Sequence, residues 1–215
     1  MEINGRTRTC GLLGNPVEHT LSPMIHNTLA KGLSHNMVYV PLLVEPGRLK
    51  EAVAGAYALN LLGLNVTVPY KSEVIESLQA VDELARNIGA VNTLVRTEGG
   101  FKGYNTDMEG LYRAMIGEGI RIEGEQIILL GAGGAARAVA YLCAVKGAAK
   151  VYLLNRTLDK AQAVAGEVNR TAGREVIVPM LLGEYMNIPD GKYLAIQGTS
   201  VGLAPHVEEV VIADE

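Results

Sequence analysis

Gly131-Ala132-Gly133-Gly134-Ala135-Ala136 follows the apolar run Ile127–Leu130 and opens a long stretch of helical spacing. A strand, a glycine turn and a helix in that order form a phosphate cradle. Gly131 permits the tight turn and Gly133 lets the backbone approach a pyrophosphate. Ala136 replaces the third glycine with a residue still small enough for close helix–strand packing. Free N–H groups at the helix start then hold phosphate. A glycine-rich turn without a ligand has similar composition, but the flanking strand, helix and spacing favour nucleotide binding. At the end of the next strand, dinucleotide domains specific for NAD usually carry Asp or Glu for the ribose hydroxyls. Asn155-Arg156-Thr157 stands there instead. A guanidinium pairs with a 2′-phosphate that a carboxylate would repel, so the tripeptide points to NADP over NAD. The plainer alternative makes Arg156 a solvated loop residue, although a cation near a helix start is slightly unfavourable.

The first half carries three polar clusters. Gly14-Asn-Pro16 through His19-Thr20-Leu-Ser22-Pro23 to His26-Asn27 reads as a turn feeding a helix. The hydroxyls of Thr20 and Ser22, beside free helix N–H groups, suit a carboxylate. Ser22 taken alone reads as a helix cap. Asn65-Val-Thr67-Val-Pro69-Tyr-Lys71 puts Asn65, Thr67 and Pro69 on one strand face by period two, with Lys71 just beyond. Lys71 taken alone reads as a solvated surface charge. Gly89-Ala-Val-Asn92-Thr93 and Gly103-Tyr-Asn105-Thr106-Asp107 add an amide and a carboxylate at strand–helix junctions. Asp107 alone reads as another cap.

The elements that must position these groups alternate strand and helix. A buried strand from Thr9 to Gly14 precedes a helix from Ser22, capped by that residue, to about Lys31. Met37–Val44 reads as an edge or irregular strand because of Pro41. Arg48–Asn60 has helical spacing, with Leu49, Val53, Ala56 and Leu59 on one stripe. A strand over Gly63–Pro69, short helices over Lys71–Leu78 and Val81–Ile88, and a hairpin across Thr-Glu-Gly-Gly complete this half. Asp107–Gly117 reads as a helix, and the glycine-rich stretch 117–124 as a boundary region. Beyond it come strands at Gln126–Leu130, Lys150–Leu154, Glu175–Val178 and Tyr193–Gln197, with helices over Gly133–Lys146 and Leu158–Ala172. The expected fold is α/β with two domains. Residues 1–107 are expected to form an α/β domain with a mainly parallel sheet that carries the polar clusters, and residues 108–215 a Rossmann-type NADP-binding domain. Only about four strands follow residue 124 where such a domain usually has six, so the sequence is expected to be incomplete at its C-terminal end.

Composition excludes several other classes. The 215 residues carry a net charge of −4. Residues 1–107 hold 9 Lys and Arg against 10 Asp and Glu, and residues 108–215 hold 10 against 13, so neither half is basic. Aromatic residues make up 5% of the chain, with one Phe, no Trp and nine Tyr, and with no basic half to accompany them nucleic acid is not an expected partner. Two Cys make neither a disulfide framework nor a zinc cluster. No His pair has the spacing of a metal site, and no metal is expected. The longest apolar runs are too short to span a bilayer and no secretory leader is evident, so a cytoplasmic location is expected.

Taken in order, the motifs resemble those of the shikimate and quinate dehydrogenase family. The resemblance rests on Gly-Asn-Pro…Ser-Pro…His-Asn, Asn-Val-Thr-x-Pro-x-Lys, Gly-Ala-Val-Asn-Thr, Gly-x-Asn-Thr-Asp, Gly-Ala-Gly-Gly-Ala and Asn-Arg-Thr. It runs from Cys10 to about Gly202. It implies NADPH-dependent reduction of 3-dehydroshikimate to shikimate, a step of aromatic amino-acid biosynthesis. Lys71 and Asp107 match the family's catalytic pair. Thr20, Ser22, Thr67 and Asn92 match groups that hold the substrate, and Asn65 helps to shape that pocket. Gly131, Gly133, Gly134 and Ala135 match the pyrophosphate loop, and Asn155, Arg156 and Thr157 the 2′-phosphate site. Thr199 falls in a Thr-Ser-x-Gly region that lies near the nicotinamide. Thr20 stands where the family usually has Ser, and Gln197 near a usual Asn. The family's C-terminal helices, with a Gln and a Tyr that touch substrate, have no counterpart in this sequence. Small-molecule substrates, no membrane partner, and a monomer or homodimer are the expected associations. An NAD-dependent quinate/shikimate dehydrogenase and a non-catalytic nucleotide-binding fragment are the competing readings.

Overall fold

Apolar runs in strands need helices packed on the sheet to bury them, and both halves of the chain alternate strands with helices. The computed structural model describes residues 3–203 and 207–212. It divides into two compact units, Met1–Thr106 and Asp107–Glu215. The division falls one residue before the boundary expected from sequence.

The first unit runs β1 (Arg8–Gly14), α1 (Ser22–Gly32), β2 (Met37–Leu43), α2 (Leu49–Ala58), β3 (Gly63–Val66), β4 (Ala80–Val81), α3 (Glu83–Ile88), β5 (Thr93–Thr97) and β6 (Gly100–Tyr104). The strands form one sheet in the order β2-β1-β3-β5-β6-β4. β1 pairs in parallel with β2 and β3, and β4 with β6, whereas β5 runs antiparallel to both of its neighbours. Five strands therefore share one direction and β5 is reversed. Leu64, Val66, Leu94 and Phe101 face a core closed by Leu49, Val53 and Ala56 of α2. Asp82 caps α3 by accepting from Leu84 N at 3.1 Å, and Gly89, at φ 68°, ends it.

The second unit runs α4 (Asp107–Gly117), β7 (Gln126–Leu130), α5 (Gly134–Val145), β8 (Lys150–Asn155), α6 (Leu158–Ala172), β9 (Ile177–Leu181) and β10 (Leu194–Gln197). Its strands are all parallel, in the order β10-β7-β8-β9. Numbered within the unit that is 4-1-2-3, the first four strands of the doubly wound dinucleotide fold, with the reversal of winding between β7 and β10. Eight residues of α5, from Ala136 to Ala144, are buried, as a helix sandwiched between a sheet and further helices must be.

Several local expectations change. Ser22 is the first helical residue, not the cap; the position before α1 is Leu21, without a side-chain cap bond. The Thr20 hydroxyl takes over part of that role by accepting from Ser22 N at 3.2 Å. Leu59 lies past the end of α2 and is 78% exposed, because the helix stops at Ala58 before its stripe returns to the core. β3 ends at Val66, short of Pro69. The segment after Lys71 is a short 3₁₀ turn at Glu73–Ser77, and the two-residue strand β4 precedes α3. β9 begins two residues later than expected because Asn169 claims the backbone ahead of it. Asn169 Oδ1 accepts from Val176 N and Ile177 N, and Nδ2 donates to Ile177 O and Glu175 Oε2.

That amide is buried and locks α6 to β9. Asn169→Ala strands two buried N–H donors and a carbonyl, and is expected to cost about 2–4 kcal/mol. Urea unfolding of the variant against the parent checks it, and a loss below about 0.5 kcal/mol would show the bonds to be replaced by water.

Candidate functional site

In the first unit the strand directions decide which loops meet. β1, β3 and β6 end at one edge of the sheet, and the reversed β5 begins there. The stretches after Gly14, after Val66, before Thr93 and after Tyr104 are thereby gathered at that edge. They carry Thr20 and Ser22, then Thr67 and Lys71, then Asn92, then Thr106, which is followed by Asp107.

Backbone and side-chain bonds hold these stretches together. Thr67 N continues the ladder to Leu13 O at 2.9 Å, and its methyl group fills the space a Cβ on Gly14 would need. Asn15 donates through its backbone to Val68 O and through its side chain to Val44 O, which also accepts the buried Tyr70 hydroxyl at 2.7 Å. Tyr70 and Val74 are anchored in the core on either side of Lys71. The carbonyl of Lys71 accepts from Val91 N at 2.7 Å. Thr20 and Ser22 lie side by side, their hydroxyl oxygens 3.1 Å apart, at the start of a helix with no acidic residue in its first turn. That pair can receive a carboxylate.

Asn92 is buried at the centre of the edge. Its backbone bonds Val66 N and Tyr104 O, bridging β3 and β6. Its side chain accepts from Thr106 N at 3.0 Å and donates to Thr106 Oγ1 at 2.9 Å. Asn65 points to the same side of the sheet as Thr93, its partner in register. Its amide bonds Tyr39 Oη, Thr93 Oγ1 and Asn92 O. Next to it lies a cavity of about 160 Å³, lined in part by His26, Tyr39, Asn65 and Thr93. Tyr39, Thr93 and Thr106 are polar residues of this edge that sequence reasoning passed over. Only the folded sheet, invisible in one sequence, puts Tyr39 and Thr93 beside Asn65 and Thr106 beside Asn92.

In the second unit the glycine turn sits at the reversal of winding. Gly131 adopts φ +103° and donates its N–H to Leu154 O at 2.8 Å. A Cβ there would lie 2.8 Å from Thr199 Cγ2 and 3.0 Å from Gly198 O, so the loop after β10 packs directly on the turn after β7. Gly198 in turn leaves no room for a Cβ against Ala136. Gly133 and Ala135 are exposed, and Gly134 opens α5. Gly133, the residue before α5, makes no side-chain cap bond, and the first turn holds no acid. These residues fit a pyrophosphate: an open backbone, a helix start and space in which a Cβ at Gly133 would meet nothing within 4 Å. Asn155 ends β8 beside them and donates to Thr157 O at 2.9 Å, which shapes the turn carrying the exposed Arg156. Thr199 is braced by Gln197, whose Oε1 accepts from Thr199 N at 2.8 Å and whose Nε2 donates to Val201 O. The unusual Gln is thus the brace of its own loop. Among the described residues no group of His, Cys, Asp and Glu could hold a metal, and no helix is long and apolar enough to cross a membrane. Burial pushes the Cys143 thiol up to about 12, which keeps it protonated.

Comparison with known proteins gives two family matches. Residues 12–94 match the shikimate dehydrogenase substrate binding domain, and residues 114–181 match shikimate / quinate 5-dehydrogenase. Shikimate dehydrogenase (NADP(+)) of Desulforamulus reducens is 43% identical over 97% of this chain and 72% of its own. A crystal structure of a shikimate dehydrogenase in complex with NADP+ superposes with a TM-score of 0.88. It is 38% identical and covers 98% of this chain and 73% of its own. The enzyme of Listeria monocytogenes, in complex with shikimate and NAD, superposes at 0.86 and 30% identity, covering 98% and 75%.

The two loop glycines should separate folding from binding. Gly133→Ala adds a methyl group in open space at φ −82°, so its unfolding free energy in urea should stay within about 0.5 kcal/mol of the parent. A pyrophosphate held on this turn would meet the same methyl group, and dinucleotide affinity by calorimetry should then fall about tenfold or more. Unchanged affinity would place the phosphates elsewhere.

Proposed function

The chain belongs to the shikimate dehydrogenase family, and from that premise we propose that it interconverts 3-dehydroshikimate and shikimate with Lys71 and Asp107 as its acid–base pair. It is an oxidoreductase of the NADP-dependent class. The observation that carries the residue assignment is the bonded sequence across the sheet edge. Lys71 O is tied to Val91 N, the next residue Asn92 holds Thr106 by its backbone N–H and its hydroxyl, and Asp107 follows Thr106.

NADPH supplies the hydride to the ring ketone. Everything else falls to the chain's own residues. Thr20 and Ser22 take the carboxylate of the substrate at the start of α1. Thr67 and Asn92 orient its ring, while Asn65 shapes the wall beside them. Lys71 hydrogen-bonds the ketone oxygen and gives it a proton as hydride reaches the carbon; in the reverse direction it takes that proton back. Asp107 holds the Lys71 ammonium and a neighbouring substrate hydroxyl in place. Gly131, Gly133, Gly134 and Ala135 cradle the pyrophosphate, and Asn155, Arg156 and Thr157 bind the 2′-phosphate. Thr199 contacts the nicotinamide end. The protein works in the cytoplasm, on small molecules and not on nucleic acid or membranes, as a monomer or homodimer; the acidic net charge of −4 supports the exclusion of nucleic acid.

Initial rates of shikimate oxidation with NADP and NAD in parallel, and with quinate as second substrate, test this reading. Lys71→Ala should lower turnover by about 10²–10⁴ while NADPH affinity stays within about twofold. Arg156→Ser should weaken NADP by roughly 10- to 100-fold and leave NAD unchanged, as loss of charge-assisted bonds to one phosphate requires. Full turnover without the Lys71 amine would remove that residue from the mechanism. Turnover mainly with NAD or quinate would replace the reading with the corresponding relative.

A further inference from the structure

Tyr39 has no part in the reaction described above, yet it begins a chain of hydrogen bonds that ends at the residue before Asp107. Its hydroxyl donates to Asn65 Oδ1 at 2.7 Å. Asn65 Nδ2 donates to Asn92 O and to Thr93 Oγ1, each at 3.2 Å. Thr93 Oγ1 donates to Asn92 Oδ1 at 3.0 Å. Asn92 Nδ2 donates to Thr106 Oγ1 at 2.9 Å, while its Oδ1 accepts from Thr106 N at 3.0 Å.

The direction of this chain is fixed by its chemistry. Asn92 O is a carbonyl and can only accept, so Asn65 must turn its NH₂ towards it. Asn65 Oδ1 then faces the phenol, which must donate. Thr93 Oγ1 receives one of the Asn65 protons and directs its own to Asn92 Oδ1. That oxygen also faces Thr106 N, which leaves the Asn92 NH₂ for Thr106 Oγ1. The Asn92 carbonyl and the Thr106 N–H thus set which way the two amides face, and the Tyr39 hydroxyl completes the Asn65 oxygen at the outer end, so that every member of a cooperative chain is satisfied.

Tyr39 is built to be that donor. It is 3% exposed, and its ring stacks on His26 at 4.2 Å. Asn27 grips its backbone from both sides, donating to Tyr39 O at 2.9 Å and accepting from Tyr39 N at 2.8 Å. Burial, with the Cys10 thiol adding to it, pushes the phenol up to about 12, so its proton stays in place at neutral pH.

We propose that Tyr39 is a positioning residue for the substrate site, its hydroxyl presetting the Asn65 and Asn92 amides and the end of β6 from which Asp107 emerges. The inference rests on the reading of this edge as the shikimate site. It assigns a task to the second strand and to the His26-Asn27 pair of α1, neither of which touches the reacting groups in that reading.

The test is a double-mutant cycle read as shikimate affinity, by calorimetry on the chain with NADP present. Tyr39→Phe keeps the ring, its packing and the His26 stack and removes only the hydroxyl. Shikimate affinity should fall roughly tenfold, the effect of one neutral hydrogen bond, while NADP affinity stays within about twofold. In an Asn65→Ala background the same substitution should cost nothing further, because the residue it acts through is gone. A merely structural Tyr39 would lower the urea midpoint and leave shikimate affinity alone, and that result overturns the proposal. An equal loss in the Asn65→Ala background overturns it as well. Thr93→Val breaks the chain one step later, and should reproduce the loss without touching the core under Tyr39; if Tyr39→Phe fails to fold, an unchanged affinity in Thr93→Val overturns the proposal. Failure of the unaltered chain to bind shikimate would overturn the functional reading itself, and this inference with it. Binding by the unaltered chain with an unaffected Tyr39→Phe overturns the inference alone.

Discussion

The antiparallel pairing of β5 against β3 is the interaction on which the first unit's site depends. Parallel strands deliver their ends to one edge of a sheet, so β1, β3 and β6 would bring only the loops that leave them. Reversing β5 brings the beginning of a strand to the same edge. Asn92 can then sit between Val66 and Tyr104 with its backbone bonding both neighbours. With β5 turned the other way the same residue would lie at the far edge, and Thr106 would lose its holder. The polar groups are placed by the order of strands, and the hydrogen bonds between them only refine that placement.

The second unit solves a different problem, close approach. A dinucleotide's pyrophosphate must reach backbone N–H groups, so side chains have to be absent where the strands' ends converge. Gly131 and Gly198 are small because Thr199, Ala136 and Leu130 O already occupy the space around them. Gly133 is small for the opposite reason, since nothing of the protein is near it. One glycine motif thus contains two kinds of constraint, packing within the protein and access from outside, which the letters of the sequence do not distinguish.

How much was legible follows from the range of each interaction. The strand–turn–helix around Gly131 and the helices over Asp107–Gly117 and Leu158–Ala172 were readable because their signals lie within a few residues. So was the hairpin before Tyr104, where a short turn fixes the pairing. The two-residue β4 was invisible, being defined only by its bonds to β6. The start of β9 moved because a side chain eight residues away, Asn169, bonds the backbone ahead of it. Among the proposed site residues, Lys71, Asn92 and Asp107 stand in recognisable motifs. Tyr39 stands in an edge strand whose sequence says only that it is β-rich, and its bond to Asn65 spans 26 positions. Gln197 looked like a departure from a usual Asn, whereas its longer side chain ties Thr199 to Val201.

Asn65 and Thr93 face one side of the β3–β5 pair, and Leu64, Val66 and Leu94 face the core on the other. Side chains alternate with a period of two, so a one-residue slip of either strand would exchange the two sets. Polar groups would enter the core and leucines would line the open face. An error that disarms this edge is therefore also an error that unfolds the unit. Over evolutionary time, selection for a foldable chain guards the geometry of this edge even when its chemistry is not under test. Drift in the surrounding loops is left as the main way in which such a protein can change what it recognises.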